Sequence, residues 1–248
     1  MTALDYSADV LGAVYLLITL RFNLWKWPAG VIHCAVFGVL FWMFKLYEVS
    51  IDPAHPDAGR VESVGVVFGL ICVILTVRRN IWSWPTGIVN IVFSVFMFWW
   101  AGLYADVVNM FVMFVLSLYG WYGWLHGRKD DGPLVVETAS PRLRAGSVLL
   151  VAALSPVVGW ILSRLPGVSY PYWDSFILVA SLVAQWGLAR KYVENWVLWI
   201  CVDLVAIPLY ARKELRAASG LYVIFLILAT CGLIEWMRAL KKKKSAAA

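Results

Sequence analysis

The sequence predicts an all-α polytopic membrane protein: two parallel three-helix bundles joined by a linker helix and preceded by an extra N-terminal helix pair. Composition, long apolar segments and two internal repeats support this fold. Of 248 residues, 62% are hydrophobic and 15% charged, and the mean hydropathy is +0.77. Soluble domains carry about 45–50% apolar and about 25% charged residues. Such a chain cannot cover its apolar surface in water, so most of it must lie in a bilayer.

The same composition excludes several classes of protein. No stretch outside the apolar segments is long enough for a soluble domain, and no HExxH, GxSxG or phosphate-loop motif occurs, so we expect no enzyme. The net charge of +6 reflects basic loops rather than a nucleic-acid surface. The cysteines lie singly inside apolar segments without CxxC spacing, so we expect neither a metal nor a cofactor. They are Cys34, Cys72, Cys201 and Cys231.

Nine apolar segments have the length of a transmembrane helix, which needs roughly 20 residues. They are continuous, without the alternation typical of a membrane barrel. Basic loops alternate with acidic or uncharged ones, which predicts a cytoplasmic C-terminus and an external N-terminus. The loop with Arg212, Lys213 and Arg216 disagrees with this orientation. The segments are 4–20, 27–47, 62–78, 84–102, 104–125, 144–163, 173–190, 195–211 and 216–238.

The first repeat has an offset of 57 residues. Residues 21–30 read RFNLWKWPAG and residues 78–87 read RRNIWSWPTG. Chance does not produce a WxWPxG match with arginine and asparagine in register, so the first two helices duplicate the third and fourth. Residues 1–60 therefore form the extra helix pair.

The second repeat has an offset of 112 residues. It aligns the segments 62–125 and 173–238 and leaves the helix 144–163 between them. An arrangement of three, one and three helices gives both triplets the same orientation, as in SWEET-type carriers. The aligned pairs are Arg78 with Arg190, Trp84 with Trp196, Gly120 with Gly232, and Trp124 with Trp236. We accordingly divide the chain into 1–60, a first bundle 61–126, a loop and linker helix 127–171, a second bundle 172–240, and a basic tail 241–248.

Polar and aromatic residues form stripes on the second and third helices of the first triplet and on the first two helices of the second. Polar groups in hydrocarbon tend to face a partner or a cavity, so we expect these stripes to converge on a binding site. Gln185 and Asn90 equally fit interhelical hydrogen bonds. Tryptophans such as Trp99, Trp160 and Trp236 fit interfacial anchors instead. The candidates are Asn90, Asn109, Ser117, Trp121, Ser181, Gln185, Trp196, Trp199, Asp203 and Tyr210.

Five further residues are candidates for gating or structural roles. Asp174 lies near a helix start, where a carboxylate complements the helix dipole. Glu194, beside Asn195 and near Lys191, is expected to form an ion pair or a gate at the cytoplasmic end. Asp106, like Asp203, is a candidate proton site.

Two segments carry a family resemblance. The YGWYxW ending of residues 103–124 and the WDS…RKYVENWxxW run of residues 172–210 together resemble PnuC-type vitamin transporters. The resemblance covers residues 61–238. It implies uncoupled uptake of nicotinamide riboside across the bacterial inner membrane, trapping by a cytoplasmic riboside kinase, and a homo-oligomer, with a trimer suggested by the family.

The stripes suit a nucleoside. Tryptophan faces attract a cationic pyridinium ring, and amides pair with ribose hydroxyls and a carboxamide. No Lys or Arg lies within the stripes, which disfavours a phosphorylated cargo. Two alternatives stay open: a carrier of the same fold for thiamine or riboflavin, which are also aromatic, and a membrane-embedded enzyme or scaffold.

Overall fold

The computed structural model describes residues 58–100, 104–126, 135–165 and 168–247, and these residues form seven helices. The helix pair predicted within residues 1–60 lies outside the described residues except for its last three positions. The predicted tail Lys241–Lys244 instead continues the last helix. The helices are α1 Ala58–Val77, α2 Ser83–Trp100, α3 Tyr104–His126, α4 Pro141–Leu162, α5 Pro171–Ala189, α6 Asn195–Arg212 and α7 Arg216–Ala247.

By length and composition, four stretches of the described helices can cross a membrane. This number is smaller than the nine predicted spans, but it covers only the described residues. The chain is a multi-pass membrane protein, as its composition predicts. The four stretches are Asp106–His126, Pro141–Leu162, Asn195–Arg212 and Ala218–Lys243.

Local sequence signals explain where α4 and α5 begin. Ser140 caps α4, because its hydroxyl accepts a hydrogen bond from the Leu143 N–H at 3.3 Å. Pro141 follows at the first helical position, where its missing N–H costs nothing. Helix α5 also begins with a proline, Pro171, after Tyr170 in the left-handed region at φ 60°.

The helices of each triplet pack in chain order, and the triplets meet along two seams. Helix α2 contacts α1 and α3, and α6 contacts α5 and α7. Between the triplets, α3 contacts α5 and α7 contacts α1. The linker helix α4 packs against α5. Six helices therefore form a closed ring with α4 on its outside.

The offset of 112 residues holds in three dimensions. Adding 112 to the residue numbers of α2 gives the bounds of α6, and adding 112 to the first residue of α3 gives the first residue of α7. The turns that precede α2 and α6 match as well: Arg79 and Lys191 both adopt positive φ, at 56° and 65°. Asn80 N–H donates to the Leu75 carbonyl as Tyr192 N–H donates to that of Gly187. These equivalences confirm the predicted pair of parallel three-helix bundles.

Candidate functional site

Four tryptophans from the two bundles form one buried cluster at the end of the ring that we call the basic end, because Arg78, Arg79, Arg190 and Lys191 lie there. Trp84 meets Trp124 edge to face, with ring centroids 5.3 Å apart. Trp196 meets Trp236 in the same way at 5.6 Å. The rings of Trp124 and Trp236 are 6.3 Å apart and join the two pairs across the bundle boundary.

Reciprocal hydrogen bonds tie the bundles together at this tryptophan cluster. The Trp124 indole N–H donates to the Leu188 carbonyl of α5 at 3.3 Å, and the Trp236 indole N–H donates to the Thr76 carbonyl of α1 at 3.2 Å. Leu188 and Thr76 are themselves related by the offset of 112. The prediction that Trp236 is an interfacial anchor is therefore wrong, because its side chain is fully buried and bonded within the protein.

Two glycines make room for the cluster. A Cβ atom on Gly120 would lie 2.1 Å from the Trp84 ring, and one on Gly232 would lie 2.5 Å from the Trp196 ring. Glycine is needed at these points because another chain segment approaches the backbone closely. The site prediction placed Trp196 against substrate. In the structure its ring packs on Gly232 at a position only 2% exposed.

Next to the cluster, polar and aromatic groups meet across the boundary between the bundles. Gln185 of α5 donates its amide N–H to the Ser117 hydroxyl of α3 at 3.1 Å. Trp121 of α3 and Trp199 of α6 are both partly buried, and both pack against the buried hydrophobic core that contains the tryptophan cluster. The structure thus joins two of the predicted site residues directly, Gln185 and Ser117. It places two more, Trp121 and Trp199, against the adjoining hydrophobic core.

Other predicted site residues serve helix packing or stand apart. The Asn90 amide donates to the Gly65 carbonyl at 2.7 Å and joins α2 to α1. Ser181 is buried, and the side-chain oxygen of Asn109 is buried without a hydrogen-bond partner among the described residues. Asn195 donates to the Tyr192 carbonyl at 2.5 Å within the turn before α6.

The opposite end of the ring carries two of the four acidic candidates, Asp106 and Asp174, in the first turns of α3 and α5. Asp174 does not act through the helix dipole alone, as the sequence suggested: both of its carboxylate oxygens accept from the Lys213 ammonium, at 2.7 and 2.8 Å. The pair compensates one of the three basic residues in the loop that disagreed with the charge rule. Tyr210 stacks on Tyr222 at 5.1 Å, and Asp203 is buried at 4% exposure.

At the basic end, Glu194 pairs with a partner that the sequence did not indicate. Its carboxylate lies 2.7 Å from the Arg144 guanidinium of α4, instead of pairing with nearby Lys191. Partial burial lowers the pKa of the Lys191 ammonium, and the Glu137 carboxylate opposes that shift. Sequence spacing could not find Arg144, because it belongs to a different helix fifty positions away.

The tryptophans and glycines of the cluster recur at the offset of 112, but the polar groups do not. At the offset of 112, Gln185 corresponds to Val73, Ser117 to Ala229, and Asp203 to Ile91. A symmetric scaffold therefore carries an asymmetric set of hydrogen-bonding groups. Such an arrangement suits an asymmetric small molecule bound between two similar halves.

Two membrane-spanning three-helix bundles that meet around polar and aromatic side chains define a small carrier protein of the multi-pass transporter class. The chain belongs to the nicotinamide mononucleotide transporter family, whose pattern matches residues 60–238.

Relatives and a solved structure support this assignment. The chain is 26% identical to the nicotinamide riboside transporter PnuC of Escherichia coli strain K12, with 82% of this chain and 95% of that protein covered. It is 31% identical to the riboflavin/roseoflavin transporter RibM of Streptomyces davaonensis, with 71% and 83% covered. A crystal structure of the vitamin B3 transporter PnuC shares the fold, with a TM-score of 0.67, 21% identity, and 88% and 94% covered.

Proposed function

We propose that this protein imports nicotinamide riboside across a bacterial inner membrane by facilitated diffusion. The observation that carries the proposal is the Gln185–Ser117 hydrogen bond across the bundle boundary, with Trp121 and Trp199 partly buried against the adjoining hydrophobic core. The two indole rings offer faces for a cationic pyridinium ring. The amide and the hydroxyl supply both donors and acceptors for the carboxamide and the ribose.

The riboside is a better cargo than the mononucleotide after which the family is described. A phosphate monoester carries about 1.5 to 2 negative charges at neutral pH and calls for cationic partners. Helices α2, α3 and α5, which carry most of the candidate residues, contain no Lys or Arg. A buried phosphate there would stay uncompensated, and that cost disfavours the mononucleotide.

Riboflavin is the second candidate cargo, because RibM is a riboflavin/roseoflavin transporter and the chain is 31% identical to it. Its isoalloxazine ring would also stack on tryptophan. The isoalloxazine ring is, however, uncharged and much larger than a pyridinium. Riboflavin would therefore need a larger site and would gain nothing from a positive ring charge.

Transport would proceed by rocking of the two bundles about the bound substrate. The Lys and Arg residues of the basic end support assigning that end to the cytoplasm, with the C-terminus on the same side. The buried tryptophan cluster supports a closed basic end in this conformation. Net uptake would then depend on a cytoplasmic riboside kinase that traps the product. We further propose a homo-oligomer in the lipid bilayer, with the trimer as the first state to test.

Equilibrium binding to the purified protein tests the cargo. Calorimetry should detect saturable binding of nicotinamide riboside and none of the mononucleotide. Tight binding of riboflavin without binding of the riboside would reassign the cargo and keep the fold. If neither these ligands nor thiamine binds, the protein is a scaffold or a carrier of another class.

A further inference from the structure

One short segment lies against the basic end and has no counterpart among the described residues of the first bundle. Residues 135–140, which we call the strap, precede α4 and run beside the turn between α5 and α6. The Glu137 N–H donates to the Lys191 carbonyl at 3.0 Å, and the Val193 N–H donates to the Glu137 carbonyl at 2.9 Å. The strap is thus held to the second bundle as a strand is held in a parallel sheet.

The first two side chains of the strap point to opposite sides, as successive side chains do in an extended segment. Val135 is 51% exposed, whereas Val136 is 2% exposed. Val136 belongs to the same buried cluster as Trp84 and Trp124 of the first bundle and Trp196 and Trp236 of the second. The strap therefore inserts one side chain where the two bundles meet.

Glu194 fastens the far end of the strap. One carboxylate oxygen accepts a hydrogen bond from the Ala139 N–H at 3.0 Å, and the other lies 2.7 Å from the Arg144 guanidinium. Charge-assisted bonds of this kind are stronger than neutral ones. At the offset of 112, Glu194 corresponds to Trp82, which is 65% exposed. The fastening is present in the second repeat and absent from the described part of the first.

We propose that the strap is a latch that holds the basic end of the ring closed, and that the bonds of Glu194 to Ala139 and Arg144 hold the strap in place. The proposal rests on the alternating access of the proposed function. Opening this end separates the bundles and removes the burial of Val136. Contacts made only in the closed state increase the population of that state. Loosening the strap will therefore expose Val136 and shift the protein toward the open state.

Cysteine labelling of the full chain in detergent tests the latch without any transported ligand. Val136→Cys and Val135→Cys form a matched pair, because they are neighbours of equal chemistry and opposite exposure. A hydrophilic maleimide is followed by peptide mass spectrometry, so the native cysteines need not be removed. The buried Val136→Cys should react at least about tenfold more slowly than Val135→Cys, since only the open fraction reacts.

Adding Glu194→Ala should speed the labelling of Val136→Cys by about tenfold and leave Val135→Cys unchanged, as loss of a charge-assisted fastening predicts. Glu137→Gln is the control, because it removes an equal charge from the strap without touching the fastening. Arg144→Gln removes only the ion pair and should give a smaller increase. It serves as the decisive variant if Glu194→Ala does not fold.

The latch is contradicted if Val136→Cys stays protected in a folded Glu194→Ala variant, or if Glu137→Gln has the same effect. Substrate exchange in proteoliposomes gives a second readout, in which the loosened variants should change the exchange rate. A protein that labels as expected but binds no nicotinamide riboside would refute the cargo and leave the latch standing.

Discussion

Gln185 is the residue whose position at the bundle boundary gives the clearest test of substrate contact. Gln185→Leu keeps the size of the side chain and removes its polar groups, so a hydrogen bond to the carboxamide or ribose would be left unmade. We expect nicotinamide riboside affinity to fall by about ten- to a hundredfold. Ser117→Ala is the companion variant, because it removes the hydroxyl that accepts from Gln185 but keeps the amide. Equal thermal destabilisation in both variants with unchanged affinity would assign Gln185 to helix packing.

Trp199 tests the stacking of the pyridinium ring. Trp199→Ala should weaken riboside binding, while Trp199→Phe should retain much of it, since stacking needs an aromatic face and not the indole N–H. Melting temperature and dissociation constant are measured together for both variants. A packing role would lower the melting temperature and spare the affinity. If Phe harms binding as much as Ala, a hydrogen bond from the indole replaces stacking as the explanation.

Single-residue roles were predictable only in part. Helical spacing predicted that Gln185 and Trp199 face one interior, because a face follows from periodicity alone. Both are partly buried in the structure, and their contact with substrate stays a prediction. Spacing could not supply partners, and so Lys213 for Asp174 and Arg144 for Glu194 appear only in the structure. Trp236 was misjudged because the predicted helix ended at residue 238, which put this tryptophan at a helix end, where interfacial anchors lie. The helix instead continues to Ala247.

At the scale of the element, the glycines of α3 and α7 set the distance between helices. Gly232→Ala places a methyl group 2.5 Å from the Trp196 ring, and we expect a loss of about 1–3 kcal/mol in stability from overpacking. Gly146→Ala is the control, because nothing lies within 4 Å of the added atom. Trp196→Phe combined with Gly232→Ala should recover part of the loss in thermal unfolding. No recovery would mean that the ring is not the obstacle.

Helix limits and the repeat were the most predictable elements. The predicted start of α6 is the observed one, and the offset of 112 relates turns, glycines and indole hydrogen bonds alike. The strap was not predicted, because a six-residue extended segment between helices has neither a periodic pattern nor a motif. Its pairing with the turn before α6 depends on tertiary contacts alone.

At the scale of the whole molecule, the two bundles share the interactions at one end of the ring but not those at the other end. Equivalent indole bonds close the basic end from both bundles, whereas the Asp174–Lys213 pair lies at the other end and joins α5 to the end of α6, within the second bundle. The first bundle has Glu62 and Ala101 at the corresponding positions, so no such ion pair is encoded there. The two ends of the protein are therefore held by different chemistry. We expect rocking between them to need no coupled ion, and a proton on Asp106 or Asp203 is the alternative to test.

Counterflow in proteoliposomes separates uncoupled carriage from proton coupling and from a channel. Vesicles preloaded with unlabelled nicotinamide riboside should accumulate labelled riboside transiently above its external concentration. An alternating-access carrier exchanges one molecule for another, and the unlabelled riboside inside competes with the label for exit. A protonophore should leave this overshoot unchanged. A channel would equilibrate the label without overshoot. If uptake depends on a proton gradient, and Asp203→Asn removes that dependence while exchange persists, the protein is a proton-coupled carrier and the facilitated-diffusion mechanism is wrong.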